Sequence, residues 1–171
     1  IVDLDISGLG IEYTYFIEPF TSIVTLDLSD NELHDVDFLA DFNVLEELNV
    51  DNNYLRDADL CIFTGNTVLT TLNISNNIME EIPCLNGLTS LITLISQNNY
   101  HSDLSGVSDL PALEYLDVRD NPLYDIYDIL AYDTVVTLLL EGTYITDITN
   151  IDTLVSLENI SLTEGVEEFT V

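Results

Sequence analysis

The sequence predicts an α/β repeat solenoid. About eight 22-residue units form a horseshoe, with a concave parallel sheet and short helical or 3₁₀ segments on the convex side. Three observations lead there. The stretch VTLDLSDNELHDVDFLADFNVLEELNVDNNYL, from Val24 to Leu55, repeats within itself: Leu26, Leu28, Asn31 and Leu33 recur 22 residues on as Leu48, Val50, Asn53 and Leu55. The position of Asn31 runs through the whole chain as Leu9, Asn31, Asn53, Asn77 (after a step of 24), Asn99, Asn121, Thr143 and Gly165. Just before each of these positions, apolar residues alternate with polar ones at a period of two, as in a strand buried on one face.

Taken in order, the inward pairs are Leu4/Ile6, Leu26/Leu28, Leu48/Val50, Leu72/Ile74, Leu94/Ser96, Leu116/Val118, Leu138/Leu140 and Ile160/Leu162. Two residues past the Asn position lies another inward column, Ile11, Leu33, Leu55, Met79, His101, Leu123 and Ile145. A third follows as Val36, Ala58, Ile82, Leu104, Ile126 and Ile148. A fourth, Ile17, Leu39, Cys61, Leu85, Val107, Ile129 and Ile151, has the spacing of a short convex turn, with the two extra residues of the long unit placed in Thr64–Thr67. No single unit buries these faces alone, and stacking them builds one core. The buried Asn supplies both donors and acceptors where the chain turns after each strand. Residues 1–171 therefore read as a single domain whose two ends are atypical, a mature form or a piece of something longer.

Charge narrows the partners. There are 32 acidic residues against Arg56 and Arg119, no lysine, and a formal net charge of −30. Such a surface repels nucleic acid and anionic membrane and favours cationic partners, divalent ions or salt. With 47% apolar residues the chain still has material for a core. No apolar run reaches the roughly 20 residues of a membrane span, and no basic start with an apolar stretch marks a signal peptide.

Units reading Asn31-Glu32-Leu33-His34-Asp35-Val36 and Asn121-Pro122-Leu123-Tyr124-Asp125-Ile126 resemble the 22-residue internalin class of bacterial leucine-rich repeats. The resemblance runs from about Ile1 to Ile160. It implies a protein-recognition scaffold with a concave parallel sheet and no catalysis. The chain departs from the pattern in its missing lysines and in Ser96 and His101 at apolar positions.

The outward strand residues supply the candidate ligand-binding face: Glu47, Asn49, Asp51, Ile95, Gln97, Tyr115, Asp117, Arg119, Leu139 and Glu141. Apolar and aromatic groups on an exposed sheet face are hot-spot chemistry, although strands favour Tyr, Thr and Ile in any case. Tyr54, Tyr100 and Tyr144 follow the Asn position and are expected along one rim. A column of Asp35, Asp57, Glu81, Asp103, Asp125 and Asp147 precedes the convex turns. It reads first as helix caps, with a weak calcium-binding edge as the second reading. Cys61 and Cys84 lie in successive units, close enough for a disulfide, with two buried thiols as the other reading. Asn73 and Asn159 open N-glycosylation triplets, which are common by chance in Asn-rich strands. No nucleophile with its base, phosphate loop or histidine-cysteine cluster is present, so neither an enzyme nor a transition-metal site is expected.

Three functional readings follow. The first is an extracellular or cell-surface module that binds a protein or glycan on its concave face, with an adhesive role. The second is a structural segment of a surface fibre, with self-assembly. The third is an intracellular regulatory solenoid, which the absence of lysine argues against. Nucleic-acid binding and membrane insertion are not expected.

Overall fold

Eight short parallel strands stack in strict chain order into one sheet: β1 (Asp3–Asp5), β2 (Thr25–Asp27), β3 (Glu47–Asn49), β4 (Thr71–Asn73), β5 (Thr93–Ile95), β6 (Tyr115–Asp117), β7 (Thr137–Leu139) and β8 (Asn159–Ser161). The computed structural model describes residues 2–60, 62–82, 85, 87–107, 110–130 and 132–164, without the side chains of Ala58, Leu60 and Thr64. Register follows the repeat. Leu4, Leu26, Leu48, Leu72, Leu94, Leu116, Leu138 and Ile160 stand side by side at the strand centres. The second residue of each inward pair lies just past the strand, but the ladder continues through it: Leu28 N–H donates to the Asn49 carbonyl at 2.8 Å and Val50 to Asn73 at 2.9 Å. The structure thus has the leucine-rich repeat architecture, a solenoid with an open parallel sheet.

Behind the sheet, Leu26, Leu28, Leu33, Val36 and Leu39 and their described apolar counterparts in later units form one continuous core. The convex elements are 3₁₀ turns, at Asp37–Asp41, Asp57–Leu60, Phe63–Gly65, Ser105–Val107, Tyr127–Ile129 and Ile151–Thr153. A turn of this kind lets a 22-residue unit close in a short distance.

The asparagine column sets the spacing of the units. Asn53 is buried, and its Nδ2 donates to the carbonyls of Val50 and Asp51 in its own unit and of Leu28 in the unit before, each at 3.1 Å. Its Oδ1 accepts the Leu33 N–H at 3.0 Å. Asn31, Asn77, Asn99 and Asn121 repeat the pattern, with the N–H groups of Ile11, Leu55, Met79 and His101 as the backward donors. At the end of the column Thr143 keeps one bond, Oγ1 to the Leu140 carbonyl at 2.7 Å. Leu9 is exposed, and Gly165 lies outside the described residues.

The structure moves the two-residue insertion. The fourth column is marked by a backbone bond reaching back three residues: Phe20 to Ile17, Phe42 to Leu39, Leu88 to Leu85 and Leu110 to Val107. In the long unit this bond runs from Asn66 to Phe63, so Phe63 fills the place the sequence reading gave to Cys61. The extra residues therefore lie between Ala58 and Phe63, where an additional 3₁₀ turn spans Asp57–Leu60, and not in Thr64–Thr67. Asn66 takes the position of Phe42, fully buried, and its Nδ2 donates to the Leu39 and Phe42 carbonyls at 3.3 and 2.9 Å. Cys61 and Cys84, the candidate disulfide pair, lie outside the described residues.

The acidic column is only partly a set of caps. Asp103 and Asp125 accept the first N–H of their 3₁₀ turns, Ser105 at 3.0 Å and Tyr127 at 3.1 Å, from one residue outside the usual cap position. Asp147 closes a turn on Thr149 ahead of its 3₁₀ segment. Asp57 lies inside the added turn, and its Oδ1 accepts the Glu80 and Glu81 N–H groups of the next unit at 2.8 and 3.0 Å. Asp35 and Glu81 are exposed.

Candidate binding surface

Strand alternation turns three outward columns to the concave side: the first strand residue, the third, and the second residue after the strand. Glu47, Asn49, Asp51, Ile95, Gln97, Tyr115, Asp117, Arg119, Leu139 and Glu141 all fall on these columns. Their surroundings divide the face into two halves.

The half made by β1 to β4 is polar and internally bonded. Asp27 Oδ1 accepts both the N–H and the Oγ–H of Ser29, at 2.8 and 2.6 Å. Asn73 does the same for Ser75 at 3.1 and 2.7 Å, and Asn49 accepts the Asp51 N–H at 3.1 Å. Between units, Asn49 Nδ2 donates to Asp27 Oδ2 at 3.1 Å and Asn76 Nδ2 to Asp51 Oδ1 at 2.6 Å. These side chains are aimed by their own neighbours, so their orientation is fixed before any ligand arrives. A shallow hollow of about 250 Å³ lies among Asp27, Glu47, Asn49, Asn73 and Ile95. The Asn73 amide is half-buried in this network, whereas Asn159 is exposed on β8.

The half made by β5 to β7 is mixed. Ile95 and Leu139 are half-buried on either side of Asp117, which is 2% exposed. Asp117 is held by Arg119 through two bonds, Nε to Oδ1 at 2.9 Å and Nη2 to Oδ2 at 2.6 Å, with Glu141 3.9 Å from the guanidinium. The hydrogen bond to Asp117 raises the Arg119 pKa further above its ordinary value. Burial, followed by the Asp117 charge, pushes the Tyr115 hydroxyl up. The sequence reading took Arg119 as a group available to a ligand; the structure commits it to Asp117. A fork-to-fork pair of this kind is directional and holds both groups in one place.

The rim tyrosines stand at the edge where the strands end. Tyr54, Tyr100 and Tyr144 are 48, 59 and 58% exposed. Each is set by a backbone bond to the preceding unit, Tyr54 to Leu33, Tyr100 to Met79 and Tyr144 to Leu123. The sequence reading missed their ring partners. His34 stacks on Tyr54 with centroids 5.1 Å apart, and Tyr124 meets Tyr144 at 5.4 Å. Both partners lie three residues past the Asn position, a column that a repeat-by-repeat reading of the exposed residues would have shown.

Ser96 and His101 lie in the core, not on the surface. Among the described residues no group of three His, Cys, Asp or Glu side chains is placed to hold a metal ion, and no helix is long and apolar enough to cross a membrane.

Among solved structures, the chain is similar to an internalin (inlF) from Listeria monocytogenes str. 4b F2365. The TM-score is 0.87 at 26% sequence identity, over 95% of this chain and 47% of that one. It is also similar in fold to an internalin C2 (inlC2) from the same strain, with a TM-score of 0.73 at 24% identity, over 95% of this chain and 81% of the other. The chain thus spans about half the length of the first. No protein-family model and no curated protein sequence matches it. The fold is that of an internalin-like leucine-rich repeat solenoid.

Proposed function

We propose that the chain is a non-catalytic, protein-binding repeat module that acts outside the cell or at its surface, with an adhesive role. The supporting observation is the composition of the β5 to β7 half of the concave face. Ile95, Tyr115 and Leu139 present apolar surface around the rigid Asp117–Arg119 pair. Apolar and aromatic anchors ringed by fixed polar groups are how protein interfaces concentrate their energy. The bonded network of the other half, around Asn49 and Asp51, supplies oriented donors and acceptors for register. The likeness to internalins supports the surface location.

Photocross-linking tests this. A benzophenone side chain is placed at Gln97 on the concave face or at Asp152 on the convex side, and each variant is illuminated in a mixture of extracellular proteins. The reading expects adducts from Gln97 alone, abolished when the mixture is first treated with protease and retained after glycosidase. Equal adducts from both positions, or adducts lost with glycosidase and kept with protease, would contradict it.

A further inference from the structure

We infer that the rim at the strand ends is a second binding surface, distinct from the concave face, and that its occupant is an extended lysine- or arginine-rich protein segment with a cation at every third residue. Three observations place it there. The Tyr144 ring is 58% exposed, and the rings of Tyr54 and Tyr100 stay about half exposed although the units on both sides of these two are present. Exposure at an open end of the solenoid does not account for those two. The backbone that carries each ring is fixed, because each residue's N–H is tied to the unit before it.

The second observation is spacing. The column reads Tyr54, Ile78, Tyr100, Pro122, Tyr144, so a tyrosine occurs in every second unit. Strands in a sheet are about 4.8 Å apart, which separates successive tyrosines by roughly 10 Å. A polyproline-II segment advances about 3.1 Å per residue with three residues per turn, so like-facing side chains recur every 9 Å or so. That period places one side chain of every third residue over each ring.

The third observation is charge. Carboxylates lie close to the tyrosines in the chain, Asp57, Glu80 and Glu81 between Tyr54 and Tyr100 and Asp125 and Asp147 on either side of Tyr144, and Asp57 and Glu80 share a hollow with Tyr100. The chain as a whole carries −30. Of its two arginines, Arg119 lies on the concave face, while Arg56 lines a hollow on this edge with Asp57, Glu80 and Tyr100. A cation over a tyrosine face is attracted by the ring quadrupole, and adjacent carboxylates add to that attraction. The surface suits guanidinium and ammonium groups and repels acidic segments.

The test uses the whole chain and two fluorescent peptides, a (Lys-Pro-Pro)₄ repeat and its Nε-acetylated form, at 0.15 M salt. The inference expects the charged peptide to bind and the acetylated one not to, with NMR shifts concentrated on the Tyr54, Tyr100 and Tyr144 rings. Tyr100→Leu and Tyr144→Leu should each weaken binding about two- to fivefold, and the pair together by about the product, because an exposed cation–π contact is worth that much. Tyr100→Phe, which keeps the ring face, should stay within about twofold of the unaltered chain, and Arg56→Gln should tighten binding. Melting curves establish that each variant is folded. Four results would each overturn the inference: Leu variants that bind as well as the unaltered chain, acetylated peptide that binds equally, no binding of the charged peptide, or shifts centred on Tyr115. None of them bears on cross-linking from Gln97.

Discussion

Ser96 Oγ and His101 Nε2 lie 2.7 Å apart in a core where both residues are 0% exposed. They replace the aliphatic side chains that fill these columns in neighbouring units. Burial lowers the His101 pKa to about 4, against the opposing pull of the Asp57 and Asp103 charges and the Glu81 backbone.

The lowered pKa predicts acid sensitivity. Unfolded, the imidazole takes up a proton near pH 6.5, and folded, only near pH 4. Between these values the unfolded chain binds more protons, so the folded state is progressively destabilised as pH falls from 6.5 toward 4 and keeps its full stability above that window. The effect by pH 4 is about 3 kcal/mol. Protonation of the many surface carboxylates acts in the opposite sense by relieving repulsion, so the comparison must be with His101→Leu. Urea unfolding of the two proteins from pH 7 to 4 should show the unaltered chain losing ground to the variant by that amount. A constant difference would mean that His101 does not titrate between its folded and unfolded values.

Arg119 is expected to matter to stability as well as to the surface. Replacing it by Glu removes both bonds to Asp117 and puts a third carboxylate beside Asp117 and Glu141. Removing one partner of a nearly buried pair costs about 1–3 kcal/mol. Arg119→Met combined with Asp117→Asn should recover much of the loss, since neither half of the pair is then left alone. Chemical denaturation of the three proteins checks this, and an Arg119→Glu variant as stable as the unaltered chain would show that Asp117 does not need its partner.

The net charge of −30 also has a thermal consequence. At 0.15 M salt the Debye length is about 8 Å, longer than the spacing between units, so stacked carboxylates still repel one another. The melting temperature should therefore rise with sodium chloride. Calcium at matched ionic strength should raise it by no more than sodium does, because Asp103, Asp125 and Asp147 each direct an oxygen to a nearby N–H and Asp57 directs one to the next unit. A calcium-specific increment in differential scanning calorimetry would mean that these carboxylates converge on an ion after all.

The repeat, the strand register and the inward columns were legible because each rests on one class of residue recurring at a nearly constant interval. Leu26 and Asn53 declare their roles by recurrence. The insertion was misplaced because Cys61 and Phe63 are both apolar and only the backbone bond from Asn66 to Phe63 separates them. The commitment of Arg119 was hidden because a column gives a side chain's direction and not its partner. One further column went unread, although its signal was present. Gly8, Asp30, Asn52, Asn76, Asn98, Asp120 and Gly142 all have positive φ, from 50° to 72°. Only Gly, Asn and Asp occur there, the residues that accept left-handed backbone most readily. At Gly142 a Cβ would also press on the Asp120 carboxylate, so a larger residue there requires that side chain to move.

Amide hydrogen exchange in the Asn77→Ala variant tests most directly the claim that each asparagine of the column ties its own unit to the one before it, in addition to the strand ladder. Asn77 Oδ1 accepts the Leu55 N–H at 2.9 Å, 22 residues back, while its Nδ2 holds the Val50 carbonyl at 3.0 Å. The expected result is a loss of protection at Leu55 that far exceeds any change at Leu33, whose acceptor is Asn53, with the β7 amides unaffected. Unchanged protection at Leu55, or a uniform loss along the whole solenoid, would contradict the claim.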